Sequence, residues 1–208
     1  MDTFNKQNSY KLQVNDSKEN KEFVMKAVKQ NGLALQYADE SLKCDREVVM
    51  EAVGGQMGRA LQYASSNLKC DKDIIMTAVK QSYFAFKFAD DSAKKDKKII
   101  MEAAKEDLWT FKFVDKSIKC DKEFMLEMIK QDWYVLEYID ESLKCDKEIA
   151  IEAVKQNTCA FRYVDASIKR NKEIMIEIVN HNVDALIYCD QSIVKEVLAS
   201  VDKTDDIG

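Results

Sequence analysis

Hydrophobic positions along the chain recur with two nested periods. In residues 121–145, Phe124, Met125, Met128 and Ile129 fall at i, i+1, i+4 and i+5, one face of a 3.6-residue helix, with Glu123, Glu127 and Lys130 as its solvent stripe. Asp121 stands where an N-cap is wanted, and Glu123 suits the positive end of the helix. Asp132 is placed to cap a second helix whose apolar face is Val135, Leu136, Ile139 and Leu143, with Tyr138 beside it. The segment predicts a hairpin of two helices, each shorter than the ~12–15 residues at which an isolated helix becomes marginal in water. It needs neighbours to stand.

The longer period supplies them. Asp-Lys-Glu, an apolar stretch ending in Lys-Gln, an aromatic, Asp-x-Ser and Leu-Lys-Cys recur about every 25 residues, and alignment gives seven units: 20–44, 45–70, 71–95, 96–120, 121–145, 146–170 and 171–194. Stacking would join Phe23, Val48, Ile74, Ile99, Phe124, Ile149 and Ile174 into one buried row. The expected fold is all-α, a right-handed α-solenoid of about seven 25-residue helical-hairpin repeats, its hand taken by analogy with other hairpin solenoids. At roughly 8–10 Å between helices, such a rod would run on the order of 70 Å. Residues 1–19 read as a polar lead or cap, and 195–208 as a half-repeat cap with an acidic tail.

Composition agrees with helices: 46% of the 208 residues are apolar, there is no proline, and only five glycines are available for turns. A net charge of −5, from 32 basic and 37 acidic residues, offers no net field to nucleic acid or an anionic membrane. No apolar run approaches a bilayer span, and the opening Met1-Asp2-Thr3-Phe4-Asn5-Lys6-Gln7 lacks the layout of a secretory signal. A cytoplasmic protein, or one delivered to a host cytosol, is expected.

The phrases Asp121-Lys122-Glu123, Lys130-Gln131 and Glu141-Ser142-Leu143-Lys144, with Ala27-Val28-Lys29-Gln30-Asn31-Gly32 and Ala34-Leu35-Gln36-Tyr37-Ala38, resemble the tandem repeat known as domain of unknown function 4116. The resemblance runs from residue 20 to about 194. It departs at Gly54-Gly55, where Lys-Gln is expected, and in units three to five, where aromatics replace Asn-Gly. It implies no catalytic residues. Because such repeats occur in large proteins of intracellular bacteria and protists, it leaves a secreted-effector role open.

Candidate chemistry is sparse. Cys44, Cys70, Cys120 and Cys145 close their units, so one repeat, near 10 Å, should separate neighbours, whereas a disulfide needs Cα atoms within ~7 Å. With neither a CxxC nor a His-Cys cluster, no metal is expected, and free thiols fit a reducing compartment. The single histidine, His181, continues the polar row Gln30, Gln81, Glu106, Gln131 and Gln156. Asp39, Asp90, Asp115, Asp140, Asp165 and Asp190 form a row with Lys43, Lys94, Lys119, Lys144 and Lys169 four positions after their aspartates. It reads as a solvated or capping ladder, or else as an acidic groove for a basic partner. Lys72, Lys97, Lys122, Lys147 and Lys172 lie beside acids such as Asp73, Glu123, Glu148 and Glu173, so local compensation argues against a nucleic-acid surface. Met25, Met50, Met76 and Met101, continued by Leu126, Ile151 and Ile176, read as core between repeats. The ring row Tyr37, Tyr63, Phe88, Phe113, Tyr138, Tyr163 and Tyr188 reads as buried with its tips near solvent.

Two breaks in the phrase remain. Gly54, Gly55 and Gly58 mark either a hinge or a tolerated insertion in a turn. Tyr83, Phe84, Leu108, Trp109, Trp133 and Tyr134 place large side chains at the turn into the second helix, either as a partner-binding surface or as extra core. The resulting expectation is a non-catalytic scaffold that binds another protein or peptide and uses no cofactor. The alternatives are an effector-like module and a carboxylate-based enzyme on a concave face.

Overall fold

A computed structural model describes residues 19–55 and 58–205. Helices of two kinds, and no strand, make up the secondary structure of the described residues. The chain divides into two compact units, Met1–Asp115 and Lys116–Gly208. The polar lead at 1–19 lies outside the described residues except for Glu19.

The first unit holds α1 (Lys21–Gln30), α2 (Arg46–Gly54), α3 (Lys72–Gln81) and α4 (Lys97–Glu106). The second holds α5 (Lys122–Gln131), α6 (Lys147–Gln156), α7 (Lys172–His181) and a last helix, α8 (Val194–Asp205), which packs on α7. From α1 to α7 each helix starts on the Asp or Asn that the pattern places there. Asp121 Oδ1, for example, accepts from the Phe124 N–H at 3.0 Å, satisfying a donor that the first helical turn leaves unpaired.

One residue then ends this helix and starts the next. Asp132 adopts an extended conformation (φ −152°, ψ 115°) and donates its N–H to the Met128 carbonyl, while its carboxylate accepts from the Tyr134 N–H at 2.9 Å. Asn31, Ser82, Asp107, Asn157 and Asn182 do the same in their repeats.

The second half of the repeat differs from the predicted α-helix. A 3-10 helix runs Trp133–Glu137, the chain turns, and a separate short turn forms at Glu141–Leu143. The same break occurs at Gly32–Tyr37 followed by Glu40–Lys43, and at Leu108–Phe113 followed by Lys116–Lys119. In residues 121–145 the Asp-x-Ser phrase caps the break, although the second repeat breaks alike at Ser65, whose hydroxyl makes no cap bond. Asp140 Oδ1 accepts from the Ser142 N–H at 3.1 Å and its hydroxyl at 2.7 Å, the local bond by which Asp competes with a continuing helix. The Asp140 N–H, which would have extended the helix, instead donates to the Lys119 carbonyl of the preceding repeat at 3.1 Å. Equivalent bonds join Ser65 to Lys43, Asp90 to Lys69, Asp115 to Lys94, Asp165 to Lys144, and Asp190 to Lys169. Breaking the second helix thus converts an intra-helix bond into a bond between repeats.

Each residue of the predicted row from Val48 to Ile174 is buried, while Phe23 is half-buried. The methionine row requires correction. Met25, Met50, Met76, Met101, Leu126 and Ile176 are only half-buried; Ile151 alone of that row is buried. The fully enclosed position is one residue earlier, at Val24, Val49, Ile75, Ile100, Met125, Ala150 and Met175. Successive residues on a helix differ by 100° in direction, so the row at the edge of the apolar face meets solvent. The centre of the second face is Leu35, Leu61, Phe86 and Phe111 in the first unit and Leu136 and Phe161 in the second.

Candidate functional site

The aromatic positions lie on the 3-10 helices. In the first unit, Tyr83 and Phe84 open Tyr83–Phe88, and Leu108 and Trp109 open Leu108–Phe113. Tyr83 meets Trp109 edge-on at 5.5 Å between centroids and stacks on Phe113 at 6.3 Å, while Phe84 stands edge-on to Phe113 at 5.5 Å and to Phe88 at 5.7 Å. Tyr83, Phe84 and Leu108 are half-buried, and Trp109 is 45% exposed. These residues therefore cover the edge of the core and also show to solvent.

Cations sit on these rings. The Arg59 guanidinium lies 5.5 Å and the Lys87 ammonium 5.3 Å from the Phe84 centroid, and the Lys112 ammonium is 3.7 Å from that of Trp109. Such contacts contribute about 0.5–1 kcal/mol each at exposed sites.

The second unit builds its edge differently. Trp133 and Tyr134 are half-buried and edge-on to each other at 5.5 Å, and Tyr134 is edge-on to Tyr138 and Tyr163. Tyr163 donates to Glu137 Oε2 at 3.2 Å. Hydrogen bonds to Glu137 and then Tyr163 push the Tyr134 phenol up from its ordinary range. The Trp133 N–H donates to Gln156 Oε1 at 3.2 Å, and Gln156 Nε2 donates to the Ile129 carbonyl at 2.6 Å. The polar row that ends at His181 thus includes a cap for the preceding repeat. Sequence reasoning missed Ile187, which is 77% exposed where other repeats carry Gln62, Lys87 or Arg162, with Val183 exposed four residues earlier. Its signal was an apolar residue at an outward position.

On the face of the long helices the lysines are neutralised, but not by their sequence neighbours. Lys21 reaches Asp45 and Glu47 at 2.8 and 2.7 Å, and Arg46 reaches Asp71 and Asp73 at 2.9 and 2.6 Å. Lys72 reaches Glu102 at 2.7 Å. In the second unit Lys122 reaches Asp146 and Glu148, Lys147 reaches Glu177, and Lys172 reaches Glu196. Each cation bridges to the next repeat, and exposed pairs of this kind contribute about 0–1 kcal/mol each.

The aspartate ladder is a capping ladder. The lysines expected to pair with it at i+4 instead meet Glu40, Asp91 and Glu141 three residues away, from Lys43, Lys94 and Lys144. The Ser142 hydroxyl and N–H hold the Asp140 carboxylate down at about 2, and Ser192 does the same for Asp190.

A groove of about 730 Å³ is lined by Lys29, Arg46, Glu47, Met50, Glu51, Gly54 and Gly55, and one of about 380 Å³ by Lys122, Asp146, Ile151, Glu177 and neighbours. In both, half or more of the charged groups are committed to the bridges above. Gly58 has φ 60°, and a Cβ there would collide with the Ala78 carbonyl oxygen. Gly54 is the last residue of α2 and Gly55 its C-cap. All six cysteines are free, with Cys44, Cys70, Cys120 and Cys145 exposed. No cluster of metal-ligating side chains occurs among the described residues, nor is any described helix long and apolar enough to cross a membrane.

The family model described as a domain of unknown function, DUF4116, matches residues 20–54, 55–92, 96–144, 121–169 and 146–194. The last three matches start one repeat apart and each spans two repeats. No curated protein and no solved structure matches the chain.

Proposed function

The chain belongs to the DUF4116 family, and from that premise we propose that it is a non-catalytic scaffold, a right-handed α-solenoid of about seven 25-residue repeats, that binds another protein or peptide along its 3-10 edge. The observation that carries this reading is Trp109, 45% exposed and held on edge against Tyr83. A large ring fixed by its neighbours but open to solvent has little rotamer entropy to lose on binding, which is why such residues dominate interface energies. Trp133 and Tyr134 would serve likewise in the second unit. The stacking reading rests on the backbone bonds between consecutive repeats and on the pairing of successive long helices within each unit. Free thiols support action in a reducing compartment.

Partner capture by the full chain tests the reading. Trp109→Ser should lose proteins that the wild type retains, with unchanged far-ultraviolet circular dichroism. Recovery of the same proteins at the same yield by both chains refutes the aromatic edge as the contact.

A further inference from the structure

We propose that the edge formed by Arg59, Phe84, Lys87, Trp109 and Lys112 recognises an acidic peptide segment. The proposal rests on the scaffold reading above and narrows its partner. Lysines of the long-helix row are bonded to carboxylates of the next repeat, whereas Arg59, Lys87 and Lys112 are exposed and make no ion pair with a carboxylate among the described residues. They belong to one connected cluster. Arg59 and Lys87 lie over Phe84, Phe84 meets Phe113, Phe113 stacks on Tyr83, and Tyr83 meets Trp109 beneath Lys112. In a chain of net charge −5, a cluster of three uncompensated cations on partly exposed rings is a local reversal of sign.

The rings orient the cations without neutralising them, which leaves their N–H donors free for a carboxylate. Nucleic acid fits less well. A single strand needs free aromatic faces on which bases stack, and here Phe84 and Trp109 already carry cations while Tyr83 is stacked on Phe113. Three cations are also few for a phosphate track when the rest of the chain repels it. Acidic side chains spaced along an extended peptide require no free ring face.

The test uses the full chain carrying Trp133→Phe, so that Trp109 is the only tryptophan. Fluorescence anisotropy of a labelled Glu-Ser repeat peptide is followed alongside Trp109 emission. A Gln-Ser peptide and an oligothymidylate serve as the competing ligands. The Glu-Ser peptide should bind and shift the emission, and rising salt should weaken it. The triple variant Arg59→Gln, Lys87→Gln, Lys112→Gln should bind at least about tenfold more weakly. All three side chains are exposed, so the variant should keep its circular dichroism spectrum. The proposal is overturned if the wild type does not bind the Glu-Ser peptide, if the triple variant binds it within twofold, or if the oligothymidylate binds more tightly. A captured protein that is lost with Trp109→Ser but kept by the triple variant would overturn the acidic-peptide proposal alone and leave the scaffold reading standing.

Discussion

Replacing Thr110 by valine should stabilise the protein. Thr110 is fully buried, and its Oγ1 finds no hydrogen-bond partner among the described residues. The equivalent positions hold buried Ala34, Ala60, Ala85, Val135, Ala160 and Ala185, so the site accepts aliphatic side chains and offers nothing to a hydroxyl. An unpaired buried hydroxyl costs about 1–3 kcal/mol by protein mutational measures. Valine has nearly the same shape, so no cavity or clash offsets the gain, and Thr110→Val should add about 1–3 kcal/mol. At roughly 2–4 °C per kcal/mol for a chain of this size, melting should rise by several degrees. Repeat proteins can unfold in segments, so urea midpoints by circular dichroism should be paired with amide exchange at Phe111 and Val114, beside the substitution. The reciprocal change, Val135→Thr, should destabilise by a similar amount. A neutral or destabilising Thr110→Val would mean that the hydroxyl is satisfied in the folded protein.

Two further outcomes rest on local geometry. Gly58→Ala should destabilise by more than the roughly 1–2 kcal/mol that a left-handed conformation costs an L-residue, because the new methyl also meets the Ala78 carbonyl. Gly54→Ala should stabilise slightly, since its methyl would meet only Thr77 Cγ2 at 3.8 Å within a helix; equal effects in urea denaturation would contradict both assignments. Asp140 and Asp190 should titrate near 2 in carboxyl NMR, below the ordinary 3.8. A depressed folded pKa means that their contribution is full above the ordinary value and is lost as pH falls from about 4 through 2. Ser142→Ala and Ser192→Ala should return each titration toward 3.8, and unchanged titrations would place the cause elsewhere.

Much of this architecture was legible because the long helices obey local rules. Period, caps and the row from Val48 to Ile174 are properties of single segments. Three features were not legible, and two of them depend on the neighbouring repeat. The second helix breaks because the Asp140 N–H has a better partner in Lys119, far back along the chain, which leaves no mark in local periodicity. Lys122 sits beside Glu123 in sequence but reaches Asp146 and Glu148, because a side chain on the helix face points across to the neighbouring helix. Exposure of the methionine row turned on a single 100° step around the helix, finer than an apolar pattern resolves.

The two surfaces of the repeat obey different constraints, and this is the physical reason to look for function on the 3-10 edge. Within each unit every long helix packs on the next, and its charges serve that packing. Lys21, Arg46 and Lys72 in the first unit, and Lys122, Lys147 and Lys172 in the second, all bridge forward. A substitution there is felt in stacking before it is felt in binding. The outward positions of the 3-10 helices form no ion pair to the next repeat among the described residues, although Glu137 accepts from Tyr163. At one of them the chain holds Gln36, Gln62, Lys87, Lys112, Glu137, Arg162 and Ile187 in turn, while the residue just before it stays Leu or Phe in every repeat and is buried in all but the last. Stability cannot require so many different side chains at a position that plays the same part in each repeat. Variation at constant backbone is what a surface shows when its side chains are set by what it touches, and the basic stretch of that variation coincides with the exposed tryptophan.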